Sequence, residues 1–477
     1  MHSRKSTMLT RRQMLRDSAI GFGGLALASL LSESARSDSA NPLALRTPHF
    51  PPKAKRVLFL FMHGGPSQMD TFDYKPRLQA DDGKPLPFSR PRVVSSATGN
   101  LLASPFRFAQ HGQAGHWASE LFPHFSRCLD DVCMIHSIRG SNSRHGGALL
   151  ELHTGSDTFV RPSMGSWITY GLGTENQNLP GFVTICPTLT HGGVNNYSSA
   201  FLPAVYHGTP MGNASVSSDR AIIPFMTGTA ADRPLQRMEL DLLHQLHRER
   251  QPSPVDSALE SRIASFELAY RMQTAAPEVQ DLRDETAETL RLYGLDEDRT
   301  RNFGRQCLLA RRFLERGVRF VQATHSYKWD QHDALRKDVT NNCGEIDKPM
   351  AGLLADLKRR GLLEDTLVVW GGEFGRTPVA QGRDGRDHNP EGWTMWLAGG
   401  GVKAGLSYGA TDDYGYYAVD RPVHLHDLHA TILHQLGLDH ERLTFRHGGR
   451  DHRLTDVHGN VVRGILASSG LLPNAKQ

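Results

Sequence analysis

Six short runs along the chain are largely apolar at consecutive positions: 55–62 (KRVLFLFM), 132–138 (VCMIHSI), 182–186 (FVTIC), 318–323 (VRFVQA), 367–370 (LVVW) and 393–397 (WTMWL). Continuous rather than alternating apolarity marks strands buried on both faces, as in a parallel sheet. Between them, apolar residues recur at helical spacing. The segments are 116–129 (Trp117, Leu121, Phe125, Leu129), 163–171, about 300–316, 346–357 (Ile346, Met350, Leu353, Leu354, Leu357) and 424–436. Strands alternating with helices predict an α/β fold, a mostly parallel central sheet covered by helices on both faces. One domain is expected over 50–470. It carries a Gly-, Asn-, Ser- and Pro-rich loop insertion at about 190–235 that lies over the site, and a helical segment at about 235–317. Residues 76–112 read as a surface excursion.

The chemistry clusters just past the strands. The run 367–370 stops at Gly371-Gly372 and is followed at once by Glu373; Asp387-His388 comes after a short loop of Gly, Arg and Asp. Open α/β sheets place their ligands beyond the carboxyl ends of strands. The first run ends in His63-Gly64-Gly65, with Asp70 and Asp73 close behind, and the run 318–323 leads to Asp330 and His332. Carboxylates and imidazoles of this kind suit divalent metals, giving His63, Asp70, Asp330, His332, Glu373, Asp387 and His388 as candidate ligands. The competing reading pairs Glu373 with Arg376, makes Asp387-His388 a polar turn and uses Asp70 and Asp73 as caps. After the second strand, a polar loop opens a helix that closes on Gly155. A helix amino terminus stabilises anions, so Ser143 and His145 are the candidate catalytic residues there. The histidines at 424, 426, 429 and 434 are expected on a solvated helix face.

Composition narrows the choice. Lys+Arg 54 against Asp+Glu 50 leaves a net charge of +4, too mild for a nucleic-acid partner. The 24 histidines exceed what packing needs, and imidazole is the commonest metal ligand. The five cysteines show no C-x-x-C spacing. At the amino terminus Arg11-Arg12 precede an apolar, Gly- and Ala-rich run at 19–31, too short to span a bilayer. That is the layout of a twin-arginine signal over 1–40, with the twin-arginine translocase as partner and periplasm or cell surface as destination. No transmembrane segment is expected in the mature protein.

The stretches HGGPSQMDTFD (63–73), RPSMGSWITYGLG (161–173), WDQH (329–332), GGEFGRTP (371–378), GRDHNP (385–390) and the block 426–459 resemble the exported, sulfatase-like bacterial family of domain of unknown function 1501. That family is similar in fold to the alkaline phosphatase superfamily. The resemblance implies an alkaline phosphatase/sulfatase-like core with one or two divalent metals (zinc, calcium or magnesium) at strand ends. It also implies attack on an anionic sulfate or phosphate ester, sulfated polysaccharide included. By position, Asp70 or His63 resembles the first-strand ligand, Asp330 with His332 the next group, and His388 with Asp387 the last. Glu373 takes the place of an Asp-His pair, and the segment 141–155 resembles the nucleophile-bearing helix start. Phe374 stands where a histidine is usual. No cysteine has the Cys-x-Pro/Ala-x-Arg context that formylglycine formation requires. Attack is then expected from Ser143, from His145 or from water activated at a metal. Arg144 or Arg376 would hold the anion. The expected function is an exported metal-dependent hydrolase. The alternative is a non-catalytic cell-surface or polysaccharide-binding protein on the same fold.

Overall fold

A computed structural model describes residues 41–89, 98–224, 232–249 and 257–467; the twin-arginine segment lies outside the described residues. In chain order, the elements that build the site are β1 (Arg56–Met62), β2 (Val132–Arg139), α1 (His145–Thr154), α2 (Met164–Leu172), β3 (Phe182–Ile185) and β4 (Thr209–Met211). They continue with α3 (Arg233–Glu249), α4 (Ser257–Gln280), α5 (Asp298–Glu315), β5 (Phe320–His325), α6 (Leu335–Arg359) and β6 (Thr366–Gly371). The last are β7 (Gly375–Gln381), β8 (Gly385–Asn389), β9 (Trp393–Ala398), β10 (Leu406–Tyr408), β11 (Val423–His424) and α7 (Leu425–Gln435).

One nine-stranded sheet runs in the order β10-β2-β9-β6-β1-β5-β3-β4, with β11 also on β2. The pairs β1–β5, β1–β6, β5–β3, β3–β4 and β2–β10 are parallel, and only β9 runs against both its neighbours. Every residue of β1, β5 and β6 is buried, so both faces of the centre are covered, as the continuous apolar runs require. The mostly parallel α/β sheet read from the sequence is therefore the observed fold. Because β1, β5 and β6 are adjacent and parallel, the segments leaving their carboxyl ends (from His63, Ser326 and Gly372 onward) emerge side by side.

Two local expectations are corrected. Residues 116–129 form a strand, His116–Ser119, and a 3-10 helix, Phe125–Asp131, in place of one α-helix. Pro123 lies inside the apolar period and cannot supply the backbone donor that a continuous helix needs. The histidines of α7 do not form a solvated face. His426 and His429 are buried and donate to the carbonyls of Gly155 (2.9 Å) and Leu152 (2.8 Å), tying α7 to the end of α1.

Candidate metal centre

Asp330 is the hub. Its Oδ1 lies 2.8 Å from His332 Nε2, 3.0 Å from His388 Nε2 and 3.3 Å from His145 Nε2. Each of these rings uses its other nitrogen as a donor. His145 Nδ1–H donates to Glu373 Oε1 at 2.7 Å, and His388 Nδ1–H to the Ser143 carbonyl at 2.7 Å. His332 Nδ1–H donates to the side-chain oxygen of Gln381. With Nδ1 so used, each ring turns its Nε2 toward the carboxylate, where it donates to Asp330 when protonated and presents a lone pair to a cation when not; a committed Nδ1–H is the outer-shell arrangement that orients metal-binding imidazoles. His145 Nε2 is buried and has no hydrogen-bond partner. An orphaned acceptor facing two imidazoles and a carboxylate, all donor atoms within 4.8 Å of one another, fits a divalent ion.

The remaining contacts hold this hub in place. Arg376, fully buried, donates to Asp330 Oδ1 (2.7 Å) and to the carbonyls of Gly64, Gly65 (3.0 Å), Trp329 (2.9 Å) and Arg386 (3.2 Å). It therefore pins the segments after β1 and β5 to β8 and pairs with Asp330 rather than Glu373. Tyr327 donates its hydroxyl to Asp330 Oδ2 at 2.6 Å. Gly64 sits at φ +120°, where a side chain would run into the backbone of Trp329 and Asp330 at 2.7 Å. Only glycine allows the β1 loop to approach the Asp330 loop this closely.

The electrostatics follow from these contacts. Burial by itself would push the Asp330 carboxyl up. The His145, His332 and His388 rings facing it and the Arg376 charge instead hold it far below the usual carboxylate range. Burial likewise opposes ionisation of Glu373, but the His145 hydrogen bond brings it down to about 2. Burial works against a proton on His145 as well, yet Asp330 and Glu373 raise its pKa. Two ionised carboxylates facing the imidazoles favour a cation between them.

Of the ligands expected from sequence, Asp330, His332 and His388 come together. Glu373 stands behind His145 and also accepts the Gly64 N–H (3.0 Å). His63 belongs to a neighbouring group with His145 and His191. Asp70 is absent from these groups: it forms a fully buried ion pair with Arg386 at 2.8 Å, an anchor for β8. Asp387 is buried and accepts the N–H of His388 (2.8 Å); it too lies outside the groups. His145, a candidate attacking group, sits inside the ligand group, and Ser143 lies two residues before it, its carbonyl held by His388. Sequence reasoning passed over His191 and Tyr327. A signal for His191 was present: His-Gly-Gly occurs at 63–65, 145–147, 191–193 and 447–449, and the first three histidines meet here.

The family model "Protein of unknown function (DUF1501)" matches residues 54–466, and the chain belongs to that family. No curated protein matches it. Among solved structures, the chain is similar to the PsFucS1 sulfatase from Pseudoalteromonas sp., at 13% identity and TM-score 0.34, covering 88% of this chain and 72% of that one. It is also similar to the alkaline phosphatase of the Antarctic bacterium TAB5 (9% identity, TM-score 0.32, 82% and 99% covered). A third is the phosphonate monoester hydrolase SpPMH from Silicibacter pomeroyi (14%, 0.30, 75% and 73%).

Proposed function

We propose that the protein is a metal-dependent hydrolase of sulfate or phosphate esters that works without formylglycine. The observation that carries this reading is the set of three oriented imidazole nitrogens converging on Asp330 beside the amino terminus of α1. Three nitrogens and one carboxylate oxygen suit zinc better than calcium or magnesium, which take oxygen ligands. His145, Asp330, His332 and His388 would hold the ion, which supplies Lewis-acid stabilisation of charge on an ester oxygen.

The chain's own groups account for the rest. α1 starts at His145 with no side-chain cap, so its first backbone N–H groups remain available to an anion. A side chain at Gly146 would meet nothing within 4 Å, which leaves room for a substrate oxygen there. Arg144, exposed at the N-cap, is the cation to meet the anion, because Arg376 has its donors committed to backbone carbonyls and Asp330. His145 has Nδ1 held by Glu373 and would give Nε2 to the ion, which favours Ser143 or water over His145 as the attacking group. All five cysteines are free, and burial pushes Cys133 and Cys186 up to about 12, so neither is an activated thiol.

The test is hydrolysis of p-nitrophenyl sulfate, phosphate and methylphosphonate by purified protein, after chelation and after reloading with zinc. Activity on at least one ester, abolished by chelation and restored by zinc, is the expected result, with at least ~100-fold loss in His388→Ala. Stoichiometric zinc without turnover of any ester would favour the binding-protein alternative.

A further inference from the structure

His63, His145 and His191 also place one nitrogen each within 4.8 Å of one another, the spacing of a second metal site. The hydrogen bonds argue against that use. His145 has one lone pair left, on Nε2, and it already faces Asp330. Each ligand of the Asp330 group has an acceptor for its Nδ1–H. His63 does not: its Nδ1 is buried without a hydrogen-bond partner, while its Nε2 lies 3.3 Å from His191 Nδ1. A ligand role through His63 Nε2 would strand an N–H at the buried Nδ1, and an unpaired buried donor is costly. With no acceptor at Nδ1, His63 carries its proton on Nε2 and donates it to His191 Nδ1. His191 must then carry its own proton on Nε2.

The backbone at His191 supports a site role. Its φ of +51° is unfavourable for a residue with a side chain, and Gly192 and Gly193 continue the left-handed path. In return the ring is half-buried and stacks on ligand His145 (4.7 Å, 25°), with the Tyr327 ring 4.9 Å away.

Resting on the hydrolase reading above, we infer that His191, presented by the inserted loop, is a substrate-binding donor for the oxyanion and not a ligand of a second metal. The His63–His191 pair offers an N–H beside the metal centre, where a second cation would otherwise meet the substrate. The charge it must accommodate is that of a tetrahedral oxyanion, sulfate or phosphate, held between the ion, α1 and His191.

The experiment is titration of the zinc-loaded protein with inorganic phosphate and with sulfate by calorimetry, together with zinc per chain by native mass spectrometry. His191→Ala is expected to keep one zinc per chain and to weaken the preferred anion at least ~10-fold. His191→Gln, whose amide can still donate, is expected to recover part of that loss. His63→Ala is expected to weaken the anion similarly, because His191 loses the partner that fixes its tautomer. Two zinc ions in the wild type with one in His191→Ala would overturn the inference, as would unchanged anion affinity in His191→Ala. A wild type that binds zinc but neither anion would overturn the hydrolase reading and this inference with it.

Discussion

Glu373 is fully buried, accepts from His145 and from the Gly64 backbone, and does not itself join the ligand group. Its negative charge makes the His145 Nε2 a stronger donor to a cation and fixes the tautomer that presents it. Glu373→Gln keeps the shape and an acceptor oxygen but removes the charge. Zinc affinity, measured by competition with a chelating dye, should fall about 10–100-fold while far-ultraviolet circular dichroism stays unchanged. Unchanged affinity would mean that the carboxylate serves packing alone. The sequence made Glu373 visible because it ends a buried strand, but its place behind His145 was not legible there. Whether a carboxylate touches a metal or stands behind a histidine depends on which ring reaches it, and His145 comes from 228 positions away. Asp70 illustrates the same limit: its spacing after β1 suits a ligand, yet Arg386 arrives on β8 and takes both its oxygens.

At the scale of elements, the loop after β5 carries both Asp330 and His332, and β5 and α6 hold it from below. Trp329 Nε1–H donates to His325 Nδ1 (2.9 Å), so His325 donates its Nε2–H to Glu345 on α6 (2.9 Å). Lys328 adds two contacts to Glu345 at 2.7 and 2.9 Å. Burial alone would raise Glu345, but the His325 hydrogen bond and Lys328 bring it from 4.5 down to about 2. A depressed carboxyl pKa contributes stability that is complete above the unfolded value of 4.5 and is lost as pH falls toward 2. Glu345→Gln should therefore be less stable than wild type by about 1–3 kcal/mol at neutral pH. In urea unfolding with and without chelator, that gap should close between pH 4.5 and 2; a gap that stays constant with pH would contradict the ion-pair account. The strand β5 and the helix α6 were both legible as apolar runs, since burial writes itself into periodicity. The 3-10 segment at Phe125–Asp131 was not, because four apolar residues at helical spacing do not reveal that Pro123 breaks the backbone ladder between them.

For the whole molecule, the centre gathers its groups from widely separated positions: Glu373 and His145 with Gly64, Asp330 and His332 after β5, His388 on β8, and His191 in the segment after β3. None of these groups can converge before β1, β5 and β6 have paired, so a metal held by them would load after folding rather than before it. That order suits an export route that carries folded chains, which is the route implied by Arg11-Arg12 ahead of the apolar run at 19–31. The proposal is that the protein folds and takes its metal in the cytoplasm and leaves through the twin-arginine translocase. Two measurements check it. Replacing both arginines with lysine should leave a full-length precursor in the cytoplasm, detected by fractionation and immunoblot. That trapped precursor, purified under native conditions, should already contain metal, and His388→Ala within it should lower the metal content. Normal export of the lysine variant would remove the twin-arginine assignment. A folded but metal-free trapped precursor, against a metal-loaded exported protein, would instead place metal acquisition after translocation.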